Sequence, residues 1–241
     1  MENDSLYGQV IRLPQRKLRK ARTPEALGAR PTLTDVHPAK PGDLAGVGFV
    51  LSLLARTTGP ILWVQDHASR RENGHLYTPG LKALGVCQPV LHVTVNHPRD
   101  VLWAMEEGAS CGGLSAVIGE IHGAPGVLDF TATKRLAMRA ETSGVSVYLI
   151  RSGDPGALSA ARERWRLGAL PSRPNAHDSQ SPGKPQWQAE LFRARGRPPG
   201  RWIAQYDPDA PRATDRLRLV SRPDAGAVAA GAKPVPDRAG G

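Results

Sequence analysis

Ile61-Leu62-Trp63-Val64-Gln65-Asp66 reads as an interior β-strand, four bulky apolar residues in a row that end in an amide and a carboxylate. Gly59-Pro60 stops the segment before it, Leu44 to Thr57, whose helical pattern is apolar almost all round. A helix with Leu44, Val47, Val50, Leu51 and Leu54 on one side and Phe49 and Leu53 on the other belongs against a sheet. Two more apolar runs, Leu114 to Gly119 and Val145 to Ile150, are separated by helical patterns at Arg99 to Cys111 and Asp129 to Ser143. Such alternation specifies a mainly parallel central sheet flanked by crossover helices, an α/β fold. Thr32 to Val36 supplies a first strand, and Val90 to Val95 a further one after a short helical stretch from Leu76 to Gly85.

Ligands of open α/β sheets sit at the carboxyl ends of strands, which makes Gln65, Asp66, His67 and Glu120 the candidate site positions. The segment His37-Pro38-Ala39-Lys40-Pro41-Gly42-Asp43 stands where a nucleotide-binding protein carries its phosphate loop. Its chemistry is wrong for that task. Two prolines remove N–H donors, Asp43 repels phosphate, and no lysine and hydroxyl follow a glycine in the required order. Without a lysine loop opposite, Glu120 is expected to make a loop hydrogen bond or a partner contact. Asp129 is expected to cap the helix that follows it. Glu106 and Glu107 are expected to face solvent, and His92 to be a histidine of the sheet with no metal role.

The net charge of +10 is unevenly spread: residues 1–30 carry +4, residues 31–150 carry −1 and residues 151–241 carry +7. Basic flanks attract a phosphate backbone or the acidic face of a protein. In the first flank, Arg16, Lys17, Arg19 and Lys20 lie in a block of positive charge and are candidates for contact with DNA or a partner. Cys87 and Cys111 have neither CxxC nor metal-ligand spacing, so they read as reduced packing residues, and no metal is expected. No run approaches the roughly 20 apolar residues of a membrane helix, and the polar start does not open a secretory signal. A soluble, cytoplasmic protein is the expectation.

The last third reads as antiparallel strands added to the sheet: Arg164 to Leu170, then, after a Pro/Ser/Asn-rich loop from Pro171 to Pro185, Gln186 to Arg193 and Arg201 to Tyr206. Gly196-Arg197-Pro198-Pro199-Gly200 forms the hairpin between the last two. Arg193, Arg195, Arg197 and Arg201 gather at that turn, beside Trp187 and Trp202. They are the sharpest candidates for gripping DNA or a partner, against the plainer reading of tryptophans packed in the sheet and a solvated tip.

The order of these pieces over about residues 30 to 222 resembles the RecA-like ATPase core and, more closely, the ImuA family of accessory proteins in translesion DNA synthesis. The resemblance rests on residues 59–65, 75–81, 100–107 and 128–137, distinctive as a set. It implies a basic arm at 1–30, a RecA-like domain at 31–222 with its core to about 152 and its antiparallel extension at 160–220, and a flexible tail at 223–241. By this resemblance Asp66 lies where RecA carries its catalytic glutamate and Glu120 near its magnesium-site aspartate, both here vestigial. The stretches after Glu120 and Ile150 are shorter than the DNA-binding loops of RecA, and Arg151-Ser152 replaces its sensing pair.

The implied function is a non-catalytic adaptor without cofactor in damage-inducible mutagenic repair. Its partner would be an ImuB-like relative of the Y-family polymerases and, through it, an error-prone replicative-type polymerase. DNA contact and self-association are left open. The alternatives are a degenerate DNA-dependent ATPase using Asp66 and Glu120, or a DNA-binding protein without a polymerase partner.

Overall fold

A computed structural model describes residues 31–221 apart from 56, 176 and 179. The basic block holding Arg16, Lys17, Arg19 and Lys20, and the tail at 223–241, lie outside the described residues. Among the described residues nine strands form one sheet: β1 (Leu33–Pro38), β2 (Ile61–Asp66), β3 (Val90–Val95), β4 (Ala116–His122), β5 (Ser146–Ser152), β6 (Glu163–Ala169), β7 (Gln186–Ala194), β8 (Gly200–Tyr206) and β9 (Leu217–Ser221). Their spatial order is β3-β2-β4-β5-β1-β6-β7-β8-β9. The first six run parallel and the last three continue antiparallel, the expected α/β class with an antiparallel extension, except that β6, expected among the antiparallel strands, pairs parallel with β1 and turns antiparallel only toward β7.

The helices are α1 (Ala45–Leu54), α2 (His67–Asn73), α3 (Thr78–Ala83), α4 (Pro98–Ala109) and α5 (Phe130–Ser143). Side chains alternate across a strand, so β2, β4 and β5 each feed two cores. Ile61, Trp63, Ile118 and Ile150 pack with α1 and the antiparallel extension, while Val64, Val117, Val147 and Leu149 pack with α4 and α5. The uninterrupted apolar run of Ile61 to Val64 is thereby explained: β2 lies between β3 and β4 and is covered on both faces. Close packing sets further residue choices. A Cβ at Gly119 of β4 would overlap Met105 of α4, and one at Gly48 of α1 would lie 2.7 Å from the Trp187 ring.

The polar stretch after Asp66 opens with the helix α2. Asp66 caps it, accepting from Ser69 N at 2.7 Å, and Gly74 at φ 83° ends it. Asp129 caps α5 as expected, accepting from Ala132 N at 2.7 Å. Glu106 does not face solvent: it is buried between α4 and α5 and paired with Arg135 at 2.9 Å. The two cysteines are not packing residues either, since both are free and exposed. Among the described residues no helix is long and apolar enough to cross a membrane, and no cluster of His, Cys, Asp or Glu has the make-up of a metal site.

Candidate functional site

The parallel strands carry two buried polar clusters, the first at Glu120 and the second at Asp35. The loop after β1 is tied down by its own carboxylate. Asp43 accepts from Ala45 N at 2.8 Å with one oxygen and from Ala169 N at 2.9 Å with the other. A helix N-terminus leaves N–H groups to be satisfied by a cap, water or an anion. Here the chain's own carboxylate takes one of them and ties the loop to the end of β6. Ala39 N donates to Leu167 O at 2.6 Å and reinforces the same closure.

Glu120, at the end of β4, is 1% exposed. It stands in register with Gln65 of β2, so both side chains point to the α1 face of the sheet. Its Oε1 accepts from Trp63 Nε1 at 2.6 Å and Gln65 Nε2 at 3.0 Å, and its Oε2 accepts from Asn73 Nδ2 at 2.7 Å. All three donors are neutral, and none of the ion pairs among the described residues includes Glu120. Burial pushes its carboxyl above the ordinary glutamate range and the negative charge of Asp66 adds to this, against the pull of the three donors.

Asp66 lies one residue beyond Gln65 and turns to the other face of the sheet. There one oxygen caps α2, and the other is buried without a partner. The two carboxylates that resemblance pairs as vestigial catalytic groups are therefore electrostatic neighbours that face opposite sides of the sheet.

A cleft of about 260 Å³ opens on the α1 side of Glu120. Leu44, just before α1, with Val47 and Leu51 of α1 and with Leu76, Tyr77 and Leu81, forms the walls. Trp63, Gln65, Asn73 and Glu120 make its polar floor. His75 at the rim accepts from Arg70 Nε at 3.0 Å. His92, on β3, stands 2.9 Å from Gln65 Oε1 and so holds the floor from the neighbouring strand.

The sequence alone does not single out the second cluster. Asp35, in the middle of β1, is 0% exposed and receives Arg151 Nη1 at 3.0 Å and Arg164 Nε at 3.2 Å on one oxygen. Arg151 also donates from Nε to Asp154 at 2.6 Å, and Asp154 accepts from Gly156 N and Ala157 N. Arg164 donates to Ala157 O at 2.9 Å and approaches His37 Nε2 at 3.2 Å. Burial opposes ionisation of Asp35, yet His37 and the two guanidiniums hold its carboxyl below the usual range. Arg151 thus pins the short connection after β5.

The hairpin arginines do not act as one cluster. Arg197 donates to Glu163 at 2.7 Å and lies over the Trp165 ring, and Arg201 bonds Glu190 at 2.9 Å. Arg193 and Arg195 are exposed and have no ion pair among the described residues. Trp187 is buried, stacked with Tyr206, and Trp202 tilts against Trp165. The plainer reading holds for the tryptophans.

No protein-family profile matches the chain. It is similar to Protein ImuA of Caulobacter vibrioides, in two strains, with 32% identity over 185 residues, 72% of this chain and 71% of the relative. Among solved structures it is similar to the RadB recombinase, with a TM-score of 0.48 and 14% identity over 74% of this chain and 89% of that one.

Proposed function

Because the chain belongs to the ImuA family, we propose that it is a non-catalytic accessory protein of damage-inducible translesion DNA synthesis, built on a RecA-like scaffold. In this reading it serves as an adaptor for an ImuB-type relative of the Y-family polymerases, which brings in an error-prone replicative-type polymerase. The observation that carries the reading is the use of Asp43, which satisfies the first N–H of α1 and fastens the loop after β1 to β6. A triphosphate bound in the usual way needs those backbone donors, a lysine and a hydroxyl. The same point is supported by Glu120, which commits three of its acceptor sites to the neutral donors Trp63, Gln65 and Asn73.

ATP binding and turnover by the purified protein, with and without single-stranded DNA, test the non-catalytic half. No turnover and no thermal stabilisation at millimolar ATP are expected, since a ligand that binds only the native state must raise the melting temperature. Turnover abolished by Asp66→Ala with Glu120→Ala would restore an ATP-driven enzyme. Co-purification with an ImuB-type polymerase relative tests the adaptor half. Arg193→Ala with Arg195→Ala then asks whether the hairpin tip contributes to that contact or to DNA.

A further inference from the structure

We propose that the cleft above Glu120 is a receptor for one cationic side chain, a lysine or arginine carried on an otherwise apolar segment of a partner protein. Four features of the site define the occupant. The floor holds a carboxylate that is 1% exposed, hydrogen-bonded only to neutral groups, and without a counter-cation among the described residues. An isolated buried carboxylate is costly unless a positive charge is brought to it. The walls are aliphatic and aromatic, which suits the methylene stem of a long basic side chain while its head reaches the floor. The volume, about 260 Å³, accommodates one such side chain.

The source of the side chain is read from the rim. Leu44 is 50% exposed and Tyr77 is 70% exposed, on opposite sides of the opening. Their apolar surfaces continue outward past the cleft, beyond the reach of a small free amine. A protein segment that places apolar residues on either side of its basic one covers both. A basic or aromatic side chain held in a desolvated pocket is the usual anchor of a protein interface. The proposal relies on the adaptor reading only for the source of the side chain. ATP turnover decides that reading and peptide affinity decides this one, so the two fail separately.

The test is calorimetric titration of the full chain with the peptide acetyl-Gly-Leu-Lys-Leu-Gly-amide and with its counterpart carrying norleucine in place of lysine. The expected result is binding of the lysine peptide more than tenfold tighter than the norleucine one, a preference that disappears in Glu120→Gln. Gln retains the acceptor for Trp63 and Gln65, and the Asn73 amide can flip to meet its NH₂, so the variant is expected to fold. Val47→Phe fills the cleft without touching Glu120 and is expected to abolish binding of both peptides, which keeps the test decisive if Glu120→Gln does not fold. No binding, equal affinity for the two peptides, or a preference that survives in Glu120→Gln overturns the site. Free n-butylamine binding as tightly as the lysine peptide overturns the assignment to a protein segment.

Discussion

Asp35 and Glu120 are two of the three buried carboxylates on the parallel strands, Asp66 being the third, and the chain treats these two in opposite ways. Asp35 is met by two guanidiniums, from Arg151 and Arg164, and its carboxyl titrates below the usual range. Glu120 is met by an indole, two amides and no cation, and its carboxyl titrates above. Both are almost fully excluded from solvent, so burial alone does not explain the difference between them. The charge on the partners decides. Around Asp35 the result is a closed lock that fastens the connection after β5 to β1. Around Glu120 it is a site whose electrostatics are incomplete and which opens onto a cleft.

The sharpest way to break this contrast is to remove the lock. Arg151→Met leaves Asp35 buried with one guanidinium fewer and frees Asp154, and is expected to destabilise by about 3–5 kcal/mol, the usual penalty for breaking a buried pair from one side. Chemical denaturation measures it. A loss below about 1 kcal/mol would mean that the cluster is wet and that the two carboxylates are not opposites. Adding Asp35→Asn to Arg151→Met should recover part of the loss, because the orphaned charge is then gone.

Next in size is the response to pH, where the two clusters should move in opposite directions. Asp35, with its native pKa lowered from an ordinary 3.8, contributes stability that is present above that value and is lost as pH falls through the native pKa. Glu120, with its native pKa raised from an ordinary 4.5, contributes stability that is full below that value and is lost as pH rises through the native pKa. Glu120→Gln, which cannot ionise, should therefore gain on the wild type as pH climbs above 4.5. The gain is about 1.4 kcal/mol for each pH unit until the native pKa is passed, and levels off beyond it. Asp35→Asn should lose its disadvantage only in acid. Melting curves of the three proteins from about pH 3 to about pH 8 check both slopes. Parallel profiles for the two variants would remove the distinction.

How much of this was legible in the sequence differs along the chain. The interior strand at residues 61–66 and the buried helix before it could be read because an apolar run and an all-round apolar helix each have one structural solution. α2 escapes such reading because its seven residues, His-Ala-Ser-Arg-Arg-Glu-Asn, have no apolar face, and its only start signal is the cap at Asp66. The site positions Asp66 and Glu120 follow from the rule about strand ends, but not their facing opposite ways, which depends on register. The Asp35 lock leaves a trace, a charge in the middle of an apolar strand that can only be buried with a partner. Its partner could not be read, because Arg151 lies 116 positions away and nothing local points to it. The hairpin arginines look like one cluster because they are close in sequence, whereas Glu163 and Glu190, on neighbouring strands, take two of the four.

A smaller change separates the neutral donors from one another. Trp63→Phe removes the 2.6 Å donor to Glu120 while keeping most of the ring in the core, and should cost about 1–3 kcal/mol, the penalty of an unsatisfied buried acceptor. If Glu120 were protonated and self-sufficient at neutral pH, the loss would shrink to the small packing defect.

The smallest expected effect tests whether Asn73 belongs to the site or only to the end of α2. Asn73 Nδ2 is the sole donor to Glu120 Oε2 among the described hydrogen bonds, and it is partly exposed, so Asn73→Ala should cost about 0.5–1.5 kcal/mol. Alanine also improves the helix by a few tenths of a kcal/mol, which works against the loss and sets the resolution the measurement needs. The decisive comparison is the same substitution in the Glu120→Gln background. A donor that serves a carboxylate should lose most of its contribution once the charge is gone, giving a coupling of at least about 0.5 kcal/mol in a double-mutant cycle. Equal losses in both backgrounds would place Asn73 outside the electrostatics of Glu120 and leave Oε2 facing the cleft unheld. The same cycle with Arg164→Met and Asp35→Asn should give the larger coupling, because there the donor is itself a charge.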